Sequence, residues 1–321
     1  MKGHFYMQKK KTSIGGSALI EGIMMRGPSK MAIAVRKSDG EIVTDVSEIK
    51  NKSCVFKKIP IIRGMIAFID SMVTSMKALM YSAEFVDVEA DEGEKESKFE
   101  KWLTKKCGDK LKDYVIYFSV FLALVMSVGL FFLLPMLIGE GVAFLFKSLP
   151  ESSLAAVRST AESVSRIVIF LGYLLLCTLQ SDVKRVFMYH GAEHKTIFCY
   201  EAGLPLTVEN CRKMKRFHPR CGTSFLVFVL LISILVFAFV KVGFGWQRIL
   251  IKLLCLPFIA GISYEIIKWA GRSENPIVKL LSKPGLWLQH ITTKEPDDSM
   301  LEVAIAAMTP VLPEAGEDDK W

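Results

Sequence analysis

Two stretches of this chain carry no charge at all: Tyr114 to Gly139 and Cys221 to Val240. Each is long enough to cross a bilayer as a helix, for which about 20 apolar residues suffice. In the bilayer every backbone group must be satisfied within its own segment, so such runs fold as helices. A water-soluble single domain is thereby excluded, and a polytopic membrane protein is expected.

Two further spans are expected at 163–181 and 247–269, giving about four with 114–139 and 222–240. The last is interrupted by Lys252, Glu265 and Lys268, but Trp246 and Trp269 flank it as interfacial aromatics do. Lys-rich segments before the first span, and Lys184 and Arg185 after the second, place those ends on the cytoplasmic side. The net charge of +8 then points to the anionic inner leaflet as partner and not to nucleic acid. The localisation that follows is the plasma membrane, multi-pass, with both termini cytoplasmic. Seven scattered cysteines without a C-x-x-C pair argue against a disulfide framework. No cleavable signal is expected, because Gly15, Gly16 and Glu21 break the apolar stretch that follows Lys9–Lys11.

Residues 1–12 read as a polar tail, and 13–56 as a small β-rich cytoplasmic domain. Glycines at 15, 16, 22 and 27 suggest strands with close backbone approaches. Met31–Arg36 and Glu41–Val46 flank Asp39-Gly40, a hairpin cue. Glu21 and Arg26 are charges within an apolar run, paired with each other or pointed into a site. The segment 57–86 reads as one helix whose charges, Arg63, Asp70, Lys77 and Glu84, fall every seventh residue along a single stripe. It either packs on the protein or lies in the membrane interface, and a protein partner at this end of the chain is a further expectation. A charged linker is expected over 87–113, and the four-helix membrane domain over 114–270. A cytoplasmic segment over 271–308, with a helix at 298–308, and an acidic tail over 309–321 without fixed structure complete the chain.

The chemistry concentrates after the second span. Tyr189-His190-Gly191-Ala192-Glu193-His194-Lys195 contains H-x-x-E-H, a pattern of one zinc peptidase class. If the second span continues as helix, His190 and His194 stand one turn apart on one face and can share a divalent metal. Glu193 is then the candidate general base. His218 and Cys221 sit where the third span begins, and the hairpin of spans two and three brings them toward the histidine pair. Cys221 suits zinc on the reducing side of the membrane. Glu265 is a candidate further ligand. Arg212, Lys213, Lys215, Arg216 and Arg220 make the intervening segment basic. That segment serves either as a leaflet anchor or to recognise a phosphate-bearing or acidic substrate.

Four motifs taken together resemble the YqhQ-like family of bacterial membrane proteins. They are residues 15–28, 189–196, His218-Pro219-Arg220-Cys221-Gly222-Thr223-Ser224-Phe225, and Thr292-Thr293-Lys294-Glu295-Pro296 with Leu301-Glu302-Val303-Ala304-Ile305. The resemblance implies a metal-dependent enzyme with His190, Glu193, His194, His218 and Cys221 at its centre, and no established substrate. A metal-dependent hydrolase and a non-catalytic membrane scaffold, with the His and Cys residues structural, are the two functional expectations. Four protein ligands would favour a closed structural ion, whereas an enzyme keeps one position open. A transporter fits less well, since few polar residues stand near the middles of the expected spans.

Overall fold

The computed structural model describes residues 11–49, 58–85, 111–239, 246–273, 275–314, 317 and 319. The N-terminal tail up to residue 10 and most of the charged linker lie outside these. The chain divides into two units: residues 1–86, 174–240 and 252–321 form one, and 87–173 with 241–251 the other.

The first unit opens with an antiparallel meander: β1 (Gly15–Leu19), β2 (Gly22–Arg26), β3 (Lys30–Arg36) and β4 (Ile42–Glu48), in that order across the sheet. The turn at Gly40 has φ +88°, as the Asp39-Gly40 cue requires. Glu21 turns the first hairpin at φ 48°. It does not pair with Arg26. Both its carboxylate oxygens accept from Arg185, at 2.5 and 2.6 Å, while Arg26 donates to Asp70 at 2.9 Å.

Helix α1 (Ile62–Ala83) follows and packs on β1 and β2. It buries only Gly64, Ala78 and Ser82, and leaves Ile69, Met72, Val73, Met76 and Met80 exposed. The apolar surface of this helix therefore faces outward, and two charges of its stripe, Arg63 and Asp70, turn to the protein.

The first apolar run is continuous helix from α2 (Leu111–Val128) through a π-helical turn (Gly129–Leu133) into α3 (Leu134–Leu145). It extends beyond the expected end at 139: the π-helical turn precedes Pro135, which has no N–H to give, and Phe131 O accepts from Arg166 Nε at 3.4 Å instead. Helix α4 is Glu151–Cys177. It does not continue into the histidine motif: Gln180 adopts an extended conformation and α5 (Ser181–Glu201) starts afresh. Then come α6 (Val208–Arg212), α7 (Gly222–Ala238), α8 (Trp246–Arg272), α9 (Pro276–Thr292) and α10 (Asp298–Met308). Helix α10 has the expected bounds, and α6 and α10 each start at a capping side chain. Thr207 Oγ1 accepts from Asn210 N at 3.3 Å, and Asp297 Oδ1 from Met300 N at 2.9 Å.

Among the described residues, three helices are long and apolar enough to cross a membrane: Phe118–Leu145, Glu151–Cys177 and Trp246–Gly271. The Gly222–Ala238 helix is apolar but shorter.

Within the first unit, α5 and α10 pack on each other and on the sheet. Ile23, Met25 and Ala34 of the sheet, Tyr189 and Ala192 of α5, and Met300, Leu301 and Met308 of α10 build one core. Burying side chains of this size contributes roughly 1.5–3 kcal/mol each. The acidic tail is not wholly without structure. Asp319 is buried, and its carboxylate accepts from Thr12 Oγ1 and Tyr200 OH, each at 2.9 Å.

In the second unit, charge is concentrated among the apolar helices. Glu140 accepts from Arg158 at 2.9 Å and Arg248 at 3.0 Å. Glu162 accepts from Arg166 at 2.6 Å and Arg248 at 2.8 Å.

Candidate metal centre

Helix α5 carries the H-x-x-E-H motif, and its middle and C-terminal half is almost entirely buried. Gly191 lets it be so. A Cβ at this position would lie 2.0 Å from the backbone oxygen of Lys294. Only glycine permits that approach, and through it the Thr292–Pro296 segment lies along the helix. Lys294 N donates to Phe187 O at 2.8 Å, and Lys195 is paired with Glu295.

This packing fixes both histidine rings. His190 Nδ1 donates to Thr292 O at 2.8 Å, and His194 Nδ1 to Arg216 O at 2.5 Å. With Nδ1 used in this way, Nε2 of each ring is the nitrogen left to act as a ligand. His190 Nε2 lies 3.1 Å from Cys221 Sγ, and the rings of His190 and His194 are 4.4 Å apart. His194 Nε2 is buried and has no hydrogen-bond partner among the described residues. One ligand atom from each of His190, His194 and Cys221 falls within 4.8 Å of the others.

Cys221 is the N-cap of α7, its sulfur accepting from Thr223 N at 3.4 Å. Burial acts to raise its pKa, but the two imidazoles beside it prevail and hold the thiol well below its ordinary range. Burial lowers the pKa of His190, yet the Cys221 sulfur outweighs it and lifts the ring to about 9. The two shifts run in opposite directions and have one cause, the 3.1 Å contact between the ring and the sulfur. Two imidazoles and the sulfur of a buried cysteine free of any disulfide are a donor set that zinc prefers. The orphaned Nε2 of His194 is what such a set leaves when no ion draws on it. The residues present therefore fit a divalent metal.

Glu193 stands on the same turn and is 5% exposed. Burial raises its pKa, and the neighbouring imidazoles and a backbone hydrogen bond from Gly16 oppose the rise.

His218 and Glu265 lie outside this group. The ring of His218 is 5.6 Å from that of His194, but its Nε2 faces Glu201, 3.6 Å from Oε2. Glu201 is fully buried and also accepts from Arg220 and from Thr12 N at 2.9 Å. Arg220 is thus a partner of Glu201 and not a free basic group. Gln289 clasps the backbone of His218 from both sides, at 2.8 Å each. Glu265 is held in a two-point ion pair by Arg63, with Nε to Oε1 at 2.6 Å. The rest of the basic segment is largely engaged as well: Arg212 with Asp298, Lys213 with Glu209 and Arg216 with Glu295.

Sequence reasoning missed Thr292 and Arg216, whose backbone oxygens orient the two imidazoles. A carbonyl has no signature in a sequence. The available signal was the glycine inside the histidine motif, which marks a close approach by some other segment.

A sequence model of the family described as a protein of unknown function, DUF1385, matches residues 59–314. The Bacillus subtilis (strain 168) protein described as uncharacterized protein YqhQ is 35% identical over 313 residues, covering 95% of each chain. No solved structure matches. The extent of both matches and the motifs within them agree: the chain belongs to the DUF1385 family.

Proposed function

We propose that this protein is a multi-pass plasma-membrane enzyme, a metal-dependent hydrolase whose centre faces the cytoplasm. The observation that carries the proposal is the convergence of His190, His194 and Cys221, with both Nδ1 atoms committed to backbone carbonyls. Three protein ligands leave one position open, as catalytic zinc sites do and closed structural sites do not. The outward turn of His218 toward Glu201 supports that count.

When bound, zinc at this place supplies Lewis acidity at neutral pH. The chain's residues do the rest. Thr292 and Arg216 hold the rings in one tautomer, and α7 presents the thiolate. Glu193 accepts a proton at its carboxylate and returns it. Burial, the largest influence on it, moves its proton affinity toward the range useful for that exchange. The packing of 292–296 against α5 keeps bulk water from the buried faces of the rings.

Three long apolar helices support membrane insertion. Gly222–Ala238 serves as the fourth span in this reading. Its 17 residues stand at the lower limit of spanning length. The basic Lys184 and Arg185 support a cytoplasmic position for the adjoining α5.

A scaffold built around a structural ion is the second reading, favoured by the depth of the site: His194 is 1% exposed. Elemental analysis of the detergent-purified protein tests the proposal. About one zinc per chain is expected, with near-complete loss in His194→Ala and Cys221→Ser. Wild-type protein that stays metal-free after expression with added zinc would overturn it. Glu193→Gln separates the two readings. It keeps the ion in both, but abolishes hydrolysis of ester and peptide substrate panels only in the first.

A further inference from the structure

A second site lies on the other side of β1. Between the β1–β2 hairpin and α1 the first unit forms an open cleft of about 260 Å³. Its wall holds one cation, Arg26, the hydroxyl-bearing Ser13, Ser71, Thr74 and Ser75, the glycines 15, 16 and 27, and Met24; no carboxylate lines it among the described residues. Ser71, Thr74 and Ser75 fall at i, i+3 and i+4, so one face of α1 presents three hydroxyls to this space.

The chemistry of the wall selects its occupant. One guanidinium with several hydroxyl and backbone donors matches the oxygens of an anion. A planar guanidinium pairs well with phosphate and carboxylate. The volume is below the roughly 300–1,000 Å³ of pockets for drug-sized ligands, so a compact group fits and a peptide does not. Arg26 is not locked away. Its ion pair with Asp70 uses one nitrogen, Nη1, and the two side chains are 38% and 55% exposed. Asp70 is not part of the wall, and an incoming anion competes with it for the same guanidinium.

We propose that this cavity is a binding site for a phosphate-type oxyanion. The anion comes either free from the cytoplasm or as the headgroup of an anionic lipid. The exposed apolar residues of α1, including Ile69, Met72, Val73 and Met76, bring the lipid source within consideration, since a helix with such a face lies readily at a bilayer surface. The site does not depend on the metal. It adjoins the metal centre through Gly16, which lines the cavity while its backbone bonds Glu193.

The full-length protein in a neutral detergent is titrated calorimetrically with inorganic phosphate and with dihexanoyl phosphatidic acid, against sodium chloride at matched ionic strength. Saturable binding of at least one probe is expected. Tighter binding of the lipid identifies a headgroup site, and equal or tighter binding of phosphate a free-anion site. Arg26→Gln weakens binding about tenfold or more, as loss of a charge-assisted bond does. Gly15→Val weakens it too, because a side chain there meets no protein atom within 4 Å and takes up cavity space instead. Asp70→Asn frees Arg26 and tightens binding severalfold, an outcome that a misfolded variant cannot produce. Cys221→Ser binds as the wild type does, which separates this site from the metal. Absence of saturable binding by both probes, or unchanged affinity in both Arg26→Gln and Asp70→Asn, would overturn the proposal.

Discussion

Both units of this protein bury clusters of ionisable side chains, and the two clusters are organised in opposite ways. Among the apolar helices of the second unit, Arg158, Arg166 and Arg248 each give a hydrogen to a carboxylate oxygen of Glu140 or Glu162. Each of the four carboxylate oxygens accepts from a different guanidinium nitrogen. In the first unit, His190, His194 and Cys221 bond backbone groups on one side and turn their remaining nitrogen and sulfur atoms toward one another. The first arrangement answers each carboxylate oxygen with a guanidinium, although Arg248 Nε is buried without a partner among the described residues. The second pairs His190 with Cys221 and leaves His194 Nε2 without a partner among the described residues. Under the metal-centre proposal the His194 nitrogen is left for an ion, whereas the ion pairs of the second unit serve the fold.

The sharpest way to break the comparison is to open the network of ion pairs. Glu162→Ala removes the shared acceptor of Arg166 and Arg248, and should destabilise the protein by about 3–5 kcal/mol. A thermal melt in detergent reads this, while zinc per folded chain stays unchanged.

The reverse experiment is Cys221→Ser. It should lower zinc affinity more than 100-fold, beyond the roughly 10–100-fold of outer-shell changes. It should hardly move the melt of metal-free protein in comparison with Glu162→Ala. Competition with a chromophoric chelator measures it. Gly191→Ala should fall between these. Its Cβ displaces Lys294, and with it Thr292, so zinc affinity drops within that 10–100-fold range although no ligand is touched.

Protons sharpen the contrast further. His190 is raised to about 9 and Cys221 depressed, so between pH 7 and 8 the metal-free pair holds one proton, on the imidazole. Zinc must displace it. Calorimetry in buffers of different ionisation enthalpy should find about one proton released per ion, falling toward none above pH 9. The linkage to stability has a definite sign. The raised His190 contributes stability that is full below its unfolded pKa and is lost as pH rises through about 9. The depressed Cys221 contributes stability that is full above its unfolded pKa and is lost as pH falls. Metal-free protein should therefore have a plateau of stability from about pH 6.5 to 8.5, bounded by the ordinary His and Cys values.

The smallest effect belongs to an exposed pair. Arg212→Ala breaks the ion pair with Asp298, whose side chains are 59% and 55% exposed, and should cost less than about 1 kcal/mol. Burial, and not the mere pairing of charges, then distinguishes the two clusters from the surface.

What the sequence disclosed follows from local rules. The i, i+4 spacing of His190 and His194 needs only a helix to become a shared face. Asp39-Gly40, Thr207 and Asp297 act on their immediate neighbours, so the turn and the two helix starts were legible. Cys221 was legible as a ligand because it opens a charge-free run beside the motif. The rest depends on distant pairings. Glu201 carries no mark that sets it against His218 and Arg220, and Glu265 gave no sign of its bond to Arg63. The charge network of the second unit joins residues from Glu140 to Arg248, each of which reads in isolation as an interruption of an apolar stretch. The break at Gln180 was hidden for a related reason: no proline or glycine stands there, and only Ser181 and Asp182 hint at a new start.

The most direct test of the central claim is the X-ray absorption spectrum of zinc in the purified wild-type protein. The account predicts one sulfur at about 2.3 Å and two imidazole nitrogens at about 2.0–2.1 Å, with the sulfur shell gone in Cys221→Ser. A coordination shell without sulfur, or one that is unchanged by that substitution, would contradict it.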